Sequence, residues 1–167
     1  MNKHAIQVTA RCSYKGRNGR CQRKTTITHP YCAQHTRMVL GVSVRKSQIP
    51  NAGLGLFAEK SFKTGDYVAQ YSGEIISVEE YDKRYSDDAM GSYGVELDSK
   101  RVIDACRSDS GVARYACDYH GSGKKPNVEY VADDEKDEVW LVAIRPIKKG
   151  DEILSDYGDD MHRAMGI

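Results

Sequence analysis

Residues 150–158 read Gly150-Asp151-Glu152-Ile153-Leu154-Ser155-Asp156-Tyr157-Gly158. A Gly-containing turn at 148–151 leads into a short strand at 152–154, and a tyrosine follows that strand. Upstream, the chain is a series of short strand-like runs separated by Gly, Asn, Asp or Pro. The predicted strands are Val39–Val44, Tyr67–Tyr71, Gly73–Ile76 (continuing the previous strand after a kink), Tyr93–Leu97, Arg101–Asp104, Asn127–Val131, Val139–Ile144 and Glu152–Leu154. The sequence therefore predicts a mostly β domain of several short curled sheets.

One segment, residues 78–85, is predicted to be helical, and its Glu79 and Lys83 stand four residues apart, as an ion pair on a helix requires. The strands at 93–97 and 101–104 flank a three-residue turn and predict a hairpin. No other helix is expected.

The length of 167 residues and the hydrophobic content of 40% suit one domain with a small appended module. No run of about 18 apolar residues occurs, so no membrane segment is expected. The first residues are followed by no apolar segment typical of a secretory signal, which indicates an intracellular protein.

Charge is distributed unevenly along the chain. Residues 1–50 contain ten Lys/Arg and no acidic residue, whereas residues 51–167 contain fifteen Lys/Arg against twenty-four Asp/Glu, a formal charge of −9. A basic head on an acidic body indicates two different partners. The head could contact DNA phosphate or an acidic protein surface weakly, and the body suits a basic peptide.

The basic head holds three cysteines and one histidine within 24 residues: Cys12, Cys21, Cys32 and His35. Three thiolates and one imidazole complete a tetrahedral zinc shell, and the head has few other residues for a core. We therefore predict a structural zinc module at residues 1–38 and a second domain at 39–167. His29 is a competing ligand, although no partner lies at turn spacing from it.

Cys106, Cys117 and His120 repeat part of that spacing. A second metal site would need Asp118 or a distant residue as its fourth ligand. Cys117 with His120 could instead be a nucleophile and its base, but no orienting acid is evident. Both interpretations are weaker than the first zinc site.

Six motifs in order across residues 41–160 carry a resemblance to the SET-domain lysine methyltransferases. They are Gly53-Leu54-Gly55, Tyr71-Ser72-Gly73-Glu74, Tyr93 to Asp98 with Ile103-Asp104-Ala105, Ala113-Arg114-Tyr115, Pro126-Asn127, and the closing stretch at 150–158. Each motif alone is unspecific, and the order and spacing make the set specific. The resemblance implies a SET-like fold with a threaded C-terminal segment, and methyl transfer from S-adenosylmethionine to a protein lysine.

The resemblance also implies roles for individual residues. Tyr157 and Tyr71 are expected to be catalytic, with Tyr157 aligning the amine and Tyr71 forming a channel wall. Ser155 and Glu96 are expected to line the substrate channel. The expected cofactor-binding residues are Ala52 and Leu54 through their backbones, Tyr93 through its ring, Arg114, and the threaded positions Cys117 and Asp118.

Two departures from the family pattern stand out. Cys117 and Asp118 occupy the places of an Asn-His pair, and a glycine- and lysine-rich insertion follows at 121–125. The family's cysteine-rich tail is absent from residues 159–167, so this tail is not expected to build a second zinc site. An alternative function is therefore a catalytically weak or inactive SET-like chromatin interaction module.

The expected substrate is a lysine in a basic extended segment, such as a histone tail, added as a strand to a sheet edge. A nuclear location on chromatin follows if the protein is eukaryotic. The residue two before the catalytic tyrosine is usually Phe or Tyr in the family. Because this residue is the smaller Ser155, spare volume and di- or trimethylated product are expected. The alternatives are that another side chain or the short tail refills the space, or that water in the pocket raises the desolvation cost and slows every step.

Overall fold

The computed structural model describes residues 6–86 and 93–166 of the chain. Within these ranges, short strands predominate over short helices, which confirms the mostly β class. The helices are α1 (Ala33–Val39), α2 (Val78–Tyr85), α3 (Asp159–Met165) and a 3-10 turn (Ala113–Tyr115). The strands are β1 (Ala10–Arg11), β2 (Lys15–Gly16), β3 (Gly19–Arg20), β4 (Lys24–Thr25), β5 (Val42–Lys46), β6 (Leu54–Ala58), β7 (Tyr67–Tyr71), β8 (Glu74–Ser77), β9 (Gly94–Glu96), β10 (Arg101–Asp104), β11 (Cys117–Asp118), β12 (Val128–Asp133), β13 (Glu138–Ala143) and β14 (Glu152–Ser155).

Three sheets form the body, in the strand orders β11-β14-β6-β5, β12-β13-β7 and β8-β10-β9. Burial alternates along β13, whereas all four residues of β14 are buried, and both strands contribute to one core. The core contains the fully or nearly fully buried Val42, Leu56, Val139, Leu141, Ala143, Ile147 and Ile153. This core fixes β14, the strand that leads into Tyr157, between β11 and β6.

The predicted helix at 78–85 is confirmed with these bounds. Ser77 caps it by accepting a hydrogen bond from the Glu80 amide at 3.2 Å, and two glutamates occupy its first turn. The prediction of no other helix is wrong. Helix α1 covers residues predicted in part as a strand and ends at Val39, because Gly41 with φ 72° turns the chain before β5 begins at Val42.

The kink predicted after Tyr71 is a change of sheet. Strand β7 pairs with β13, whereas β8 pairs with β10 through four residue pairs. Gly73 permits this change, because a Cβ atom there would overlap the carbonyl oxygen of Asp104. The prediction that β8 continues β7 is therefore wrong, because the two strands belong to different sheets.

The predicted hairpin at 93–104 is confirmed as β9 and β10, which pair Glu96 with Val102. Asp98 Oδ1 accepts hydrogen bonds from the amides of Lys100 and Arg101 at 2.8 and 2.9 Å, which closes the turn. Strand β9 lies at the edge of its sheet in the order above.

The N-terminal head packs against the body at two places. The Ile6 amide donates to Cys106 O at 3.0 Å, and the Ser108 amide donates to Ile6 O at 2.7 Å. Helix α1 contacts β5, and Arg37 pairs with Glu59 at 3.6 Å. The predicted boundary at 38/39 falls in the last turn of α1, and the independence of the head as a domain remains a prediction.

Among the described residues, no helix combines the length and apolarity needed to cross a membrane.

Candidate functional site

Tyr157 follows β14 and is held at both ends by one short segment. Its hydroxyl donates to Ala116 O at 2.9 Å, and its backbone amide donates to Asp118 Oδ2 at 2.8 Å. Strand β11, which contains Asp118, runs parallel to β14 and pairs Asp118 with Ser155. Tyr157 is 38% exposed as a whole residue, but desolvation of its phenol and the nearby Tyr130 raise the pKa of that phenol above its usual value.

Tyr71, at the end of β7, is buried and donates its hydroxyl to Tyr93 O at 2.8 Å. The Arg114 guanidinium lies over the Tyr93 ring, with Cζ 4.0 Å from the ring centroid, and donates from Nη1 to Cys106 O at 3.1 Å. Among the described residues, Arg114 Nε is one of two buried side-chain polar atoms without a hydrogen-bond partner. An unpartnered buried donor beside Tyr93 fits a residue that is completed by a polar ligand.

The space beside Ser155 is filled by Tyr130, a residue that sequence reasoning did not single out. Ser155 is fully buried, and its Oγ lies 3.2 Å from the Tyr130 hydroxyl. The Tyr130 ring meets the Tyr71 ring edge-on, with centroids 5.7 Å apart. The expectation of spare volume at Ser155 is therefore wrong, and the alternative, refilling by another side chain, is what the structure shows.

The Gly-rich turn before β6 is held by a buried carboxylate. Glu152 accepts hydrogen bonds from Ser47 Oγ at 2.5 Å and from the Gln48 amide at 3.0 Å. Gly55 lies against this carboxylate, and a Cβ atom there would overlap it. An open cleft of about 580 Å³ runs along residues 46–51 and 53, next to the predicted cofactor residues Ala52 and Leu54.

Cys117 and Asp118 lie where the threaded segment passes this turn. The Cys117 thiol is 3.4 Å from Leu54 O, and burial raises its pKa to about 11. A protonated thiol that contacts a carbonyl is a poor nucleophile, which speaks against the nucleophile–base interpretation with His120. The Asp118 carboxylate accepts from Tyr157 and also contacts His120 and His162.

Glu96, the other predicted channel residue, is an exposed residue of edge strand β9. The structure thus brings together Tyr157, Ser155, Leu54, Cys117 and Asp118 around β14, and Tyr71, Tyr93 and Arg114 beside it. Tyr130 joins the two groups. Glu96 and Ala52 are exposed at the surface.

The four predicted zinc ligands converge in the head. Their ligand atoms lie within 4.8 Å of one another. Cys12 Sγ and Cys32 Sγ each lie 3.4 Å from His35 Nδ1. Around a tetrahedral zinc ion, with bond lengths of about 2.3 Å to sulfur and about 2.0 Å to nitrogen, a sulfur ligand and a nitrogen ligand are separated by a distance close to the observed 3.4 Å. The donor set therefore fits zinc. His29 is not among these ligands.

The sequence explains this convergence. The hairpin of β2 and β3 joins Cys12 to Cys21, and Cys32 precedes helix α1, whose first turn carries His35. Arg11 Nε donates to Cys21 O and Arg20 Nε donates to Cys12 O, at 3.0 and 2.9 Å. Two of the basic residues of the head therefore brace the ligand loop.

A second group of possible metal ligands contains Asp118, His120 and His162. This group differs from the second metal site considered in the sequence analysis, which included Cys106 and Cys117. The tail residue His162 was missed, since helix α3 was not predicted.

A family model described as the SET domain matches residues 53–158. Over 118 residues the chain is 33% identical to histone-lysine N-methyltransferase 2D of Homo sapiens, covering 66% of this chain and 2% of that protein. Over 148 residues it is 30% identical to histone-lysine N-methyltransferase trr of Drosophila melanogaster, covering 84% and 6%.

Two solved structures are similar in fold. A polycomb repressive complex 2 of Chaetomium thermophilum has a TM-score of 0.59 and 28% identity, covering 71% of this chain and 15% of that chain. A structure named ctPRC2 in an autoinhibited conformation bound to S-adenosylmethionine has a TM-score of 0.60 and 26% identity, covering 75% and 16%. The chain therefore spans only a small part of each of these proteins.

Proposed function

Because the chain belongs to the SET-domain family, we propose that it is an S-adenosylmethionine-dependent protein-lysine N-methyltransferase. The observation that carries this proposal is the double anchoring of Tyr157 beside the Tyr71–Tyr130 pair. Relatives with this domain are histone-lysine and protein-lysine methyltransferases. The proposed substrate is a lysine in a basic segment such as a histone tail.

The proposed transfer depends mainly on orientation and desolvation. S-adenosylmethionine supplies a methyl group on a sulfonium, a leaving group that needs no protein nucleophile. A lysine amine with a usual pKa of about 10.4 must be neutral to attack, and desolvation of the bound lysine beside the Tyr71 and Tyr130 rings would favour the neutral form. Alignment of the amine in line with the methyl provides much of the rate.

Tyr157 is suited to that alignment. Its hydroxyl donates to Ala116 O, so the oxygen lone pairs remain available to accept a hydrogen bond from the amine. Tyr71 donates to Tyr93 O in the same way and keeps the channel wall rigid. Carbonyl oxygens nearby would hold the polarised methyl group through weak C–H···O contacts.

Cofactor binding is proposed at the Gly-rich turn, Tyr93, Arg114 and the threaded segment. The cleft at residues 46–51 and 53 and the unpartnered Arg114 Nε support this proposal. Cys117 offers a thiol where the family has an amide, but its contact with Leu54 O shows that it still joins the two chain segments.

The proposed peptide would add to β9 at the sheet edge, where Glu96 is exposed. The acidic body favours Lys/Arg-rich segments. Contact of the basic head with DNA phosphate or an acidic surface, and a nuclear location, remain predictions. Binding of the full chain to duplex DNA should weaken steeply with added salt if the head contacts phosphate.

The alternative, an inactive SET-like chromatin module, is distinguished by cofactor binding. Calorimetric titration of the zinc-loaded chain with S-adenosylmethionine should give saturable binding, and S-adenosylhomocysteine should compete. ATP, which shares only the adenosine, is the control and should not compete. No heat with either sulfur compound would favour the inactive module.

Tyr130 is expected to limit the number of methyl groups. Its hydroxyl next to Ser155 can hold a water molecule that crowds the amine, so wild type should give mainly monomethyl-lysine. Tyr130→Phe removes the hydroxyl and should shift the product toward di- and trimethyl-lysine, measured by mass spectrometry of a peptide. Tyr67→Phe, an exposed tyrosine of β7, should leave the product unchanged. Trimethylation by wild type would contradict this role.

A further inference from the structure

Helix α3, in the C-terminal tail, contacts the site through the side chain of His162. His162, 9% exposed, places Nε2 at 2.8 Å from Asp118 Oδ2. The same oxygen accepts from the Tyr157 amide at 2.8 Å, and Oδ1 accepts from the amide of His120 at 2.9 Å and contacts its Nδ1 at 2.7 Å. The carboxylate thus gathers four donors from three chain segments.

Distances identify this cluster as a hydrogen-bond network. At the zinc ligands in the head, sulfur and nitrogen are 3.4 Å apart, as tetrahedral edges require. In the Asp118 cluster, the nitrogen–oxygen distances of 2.7 and 2.8 Å are those of charge-assisted hydrogen bonds, shorter than the edge of about 3.3 Å expected around zinc. Protons, rather than a metal ion, account for the spacing.

We propose that His162 is a positioning residue for methyl transfer, which fixes the Asp118 carboxylate and through it the backbone of Tyr157. This inference rests on the proposed function. His162 touches no reacting group. It holds one oxygen of Asp118 at the point where the Tyr157 amide binds, and the Tyr157 hydroxyl is held two residues earlier, at Ala116 O.

The electrostatics agree with this arrangement. Hydrogen bonding to Asp118 raises the pKa of His162, which favours the protonated ring. Burial alone would raise the pKa of Asp118, but the bonds from His162, His120 and Tyr157 lower it, so the carboxylate is ionised. Asp156 Oδ1 lies 3.6 Å from His162 Nε2 and adds to the negative surroundings. A rigid, ionised acceptor keeps the tyrosine backbone in one place.

The test compares three variants of the full chain. His162→Phe keeps a ring but removes the donor, His162→Gln keeps a donor on a shorter side chain, and Arg163→Ala changes an exposed neighbour on the same helix. For His162→Phe we expect kcat to fall about tenfold with both KM values within about twofold of wild type, since orientation and not binding is lost. His162→Gln should recover most of kcat, and Arg163→Ala should match wild type.

Wild-type kcat in His162→Phe would overturn the inference. So would a loss of kcat in His162→Phe that is accompanied by a matching loss of melting temperature and is not recovered in His162→Gln. A zinc content that falls by one ion per chain in His162→Phe would also overturn it, because the cluster would then be a metal site.

Hydrogen exchange provides a readout that does not depend on activity. The Tyr157 amide should exchange faster in His162→Phe than in wild type or Arg163→Ala. If wild type transfers no methyl group, the proposed function fails, while faster exchange still supports the His162 contact. Equal exchange rates of the Tyr157 amide in wild type and all variants would overturn the positioning role of His162.

Discussion

Replacement of Tyr157 by phenylalanine is expected to lower methyl transfer by about a hundredfold or more, while leaving the fold and cofactor binding nearly unchanged. The variant keeps the ring and the hydrogen bond from its backbone amide to Asp118, and it loses only the hydroxyl that donates to Ala116 O. The amine then has no acceptor to align it, and Ala116 O loses its partner. Initial rates with a lysine peptide, at saturating S-adenosylmethionine, measure the effect.

Two controls make this result specific. Tyr67→Phe removes the hydroxyl of a tyrosine that is 62% exposed on β7, and it should transfer methyl groups at the wild-type rate. Calorimetry should show that Tyr157→Phe still binds S-adenosylmethionine. Transfer near the wild-type rate in Tyr157→Phe would mean that another residue aligns the amine, and that Tyr157 is a structural tyrosine.

The second large effect concerns the zinc cluster. The purified chain should carry one zinc ion, and the double variant Cys21→Ser with Cys32→Ser should carry none. Zinc binding contributes on the order of 10 kcal/mol to the folding of small zinc modules, so the head should lose its structure. The body has its own buried core and should remain folded. Elemental analysis and circular dichroism measure the two outcomes.

His29→Asn is the matched control for the zinc experiment. His29 lies in the same head and its Nδ1 is 3.3 Å from Thr25 Oγ1, but it is not among the four converging ligands. This variant should retain one zinc ion per chain. An unaltered zinc content in the double cysteine variant would contradict the assignment of Cys12, Cys21, Cys32 and His35.

The sequence predicted those parts of the site that depend on local motifs. Tyr71, Tyr93, Arg114 and Tyr157 were identified through the family resemblance that short motifs carry. The structure places Tyr71 at the end of β7, Tyr93 just before β9, Arg114 in the 3-10 turn and Tyr157 just after β14, and their roles in the reaction remain predictions. Helix α2 was predicted with its bounds, since the spacing of Glu79 and Lys83 four residues apart is a local signal. The Cys/His set was predicted because ligand type and spacing are visible in a sequence.

Features that depend on pairing between distant segments were not predicted. Tyr130 is one of eleven tyrosines, and its place beside Ser155 follows from the packing of β12 near β14. His162 is missed for the same reason, because its partner Asp118 is 44 residues away. Strand β8 was predicted to continue β7 after a kink, whereas β8 pairs with β10 and β7 pairs with β13 in another sheet.

Helices α1 and α3 were missed for a different reason. Each has seven residues and no long amphipathic repeat. Contacts to the body supply their stability: α1 through β5, and α3 through His162. Such short helices carry little signal that single-sequence periodicity could detect.

A single assay distinguishes whether this chain transfers methyl groups to protein lysine. The purified zinc-loaded chain is incubated with S-adenosylmethionine labelled in its methyl group and with core histones, and the label is located by mass spectrometry. We expect label on lysine, which is absent without the protein and strongly reduced with Tyr157→Phe. Binding of S-adenosylmethionine without any label on lysine of the histones or of Lys/Arg-rich peptides would contradict it.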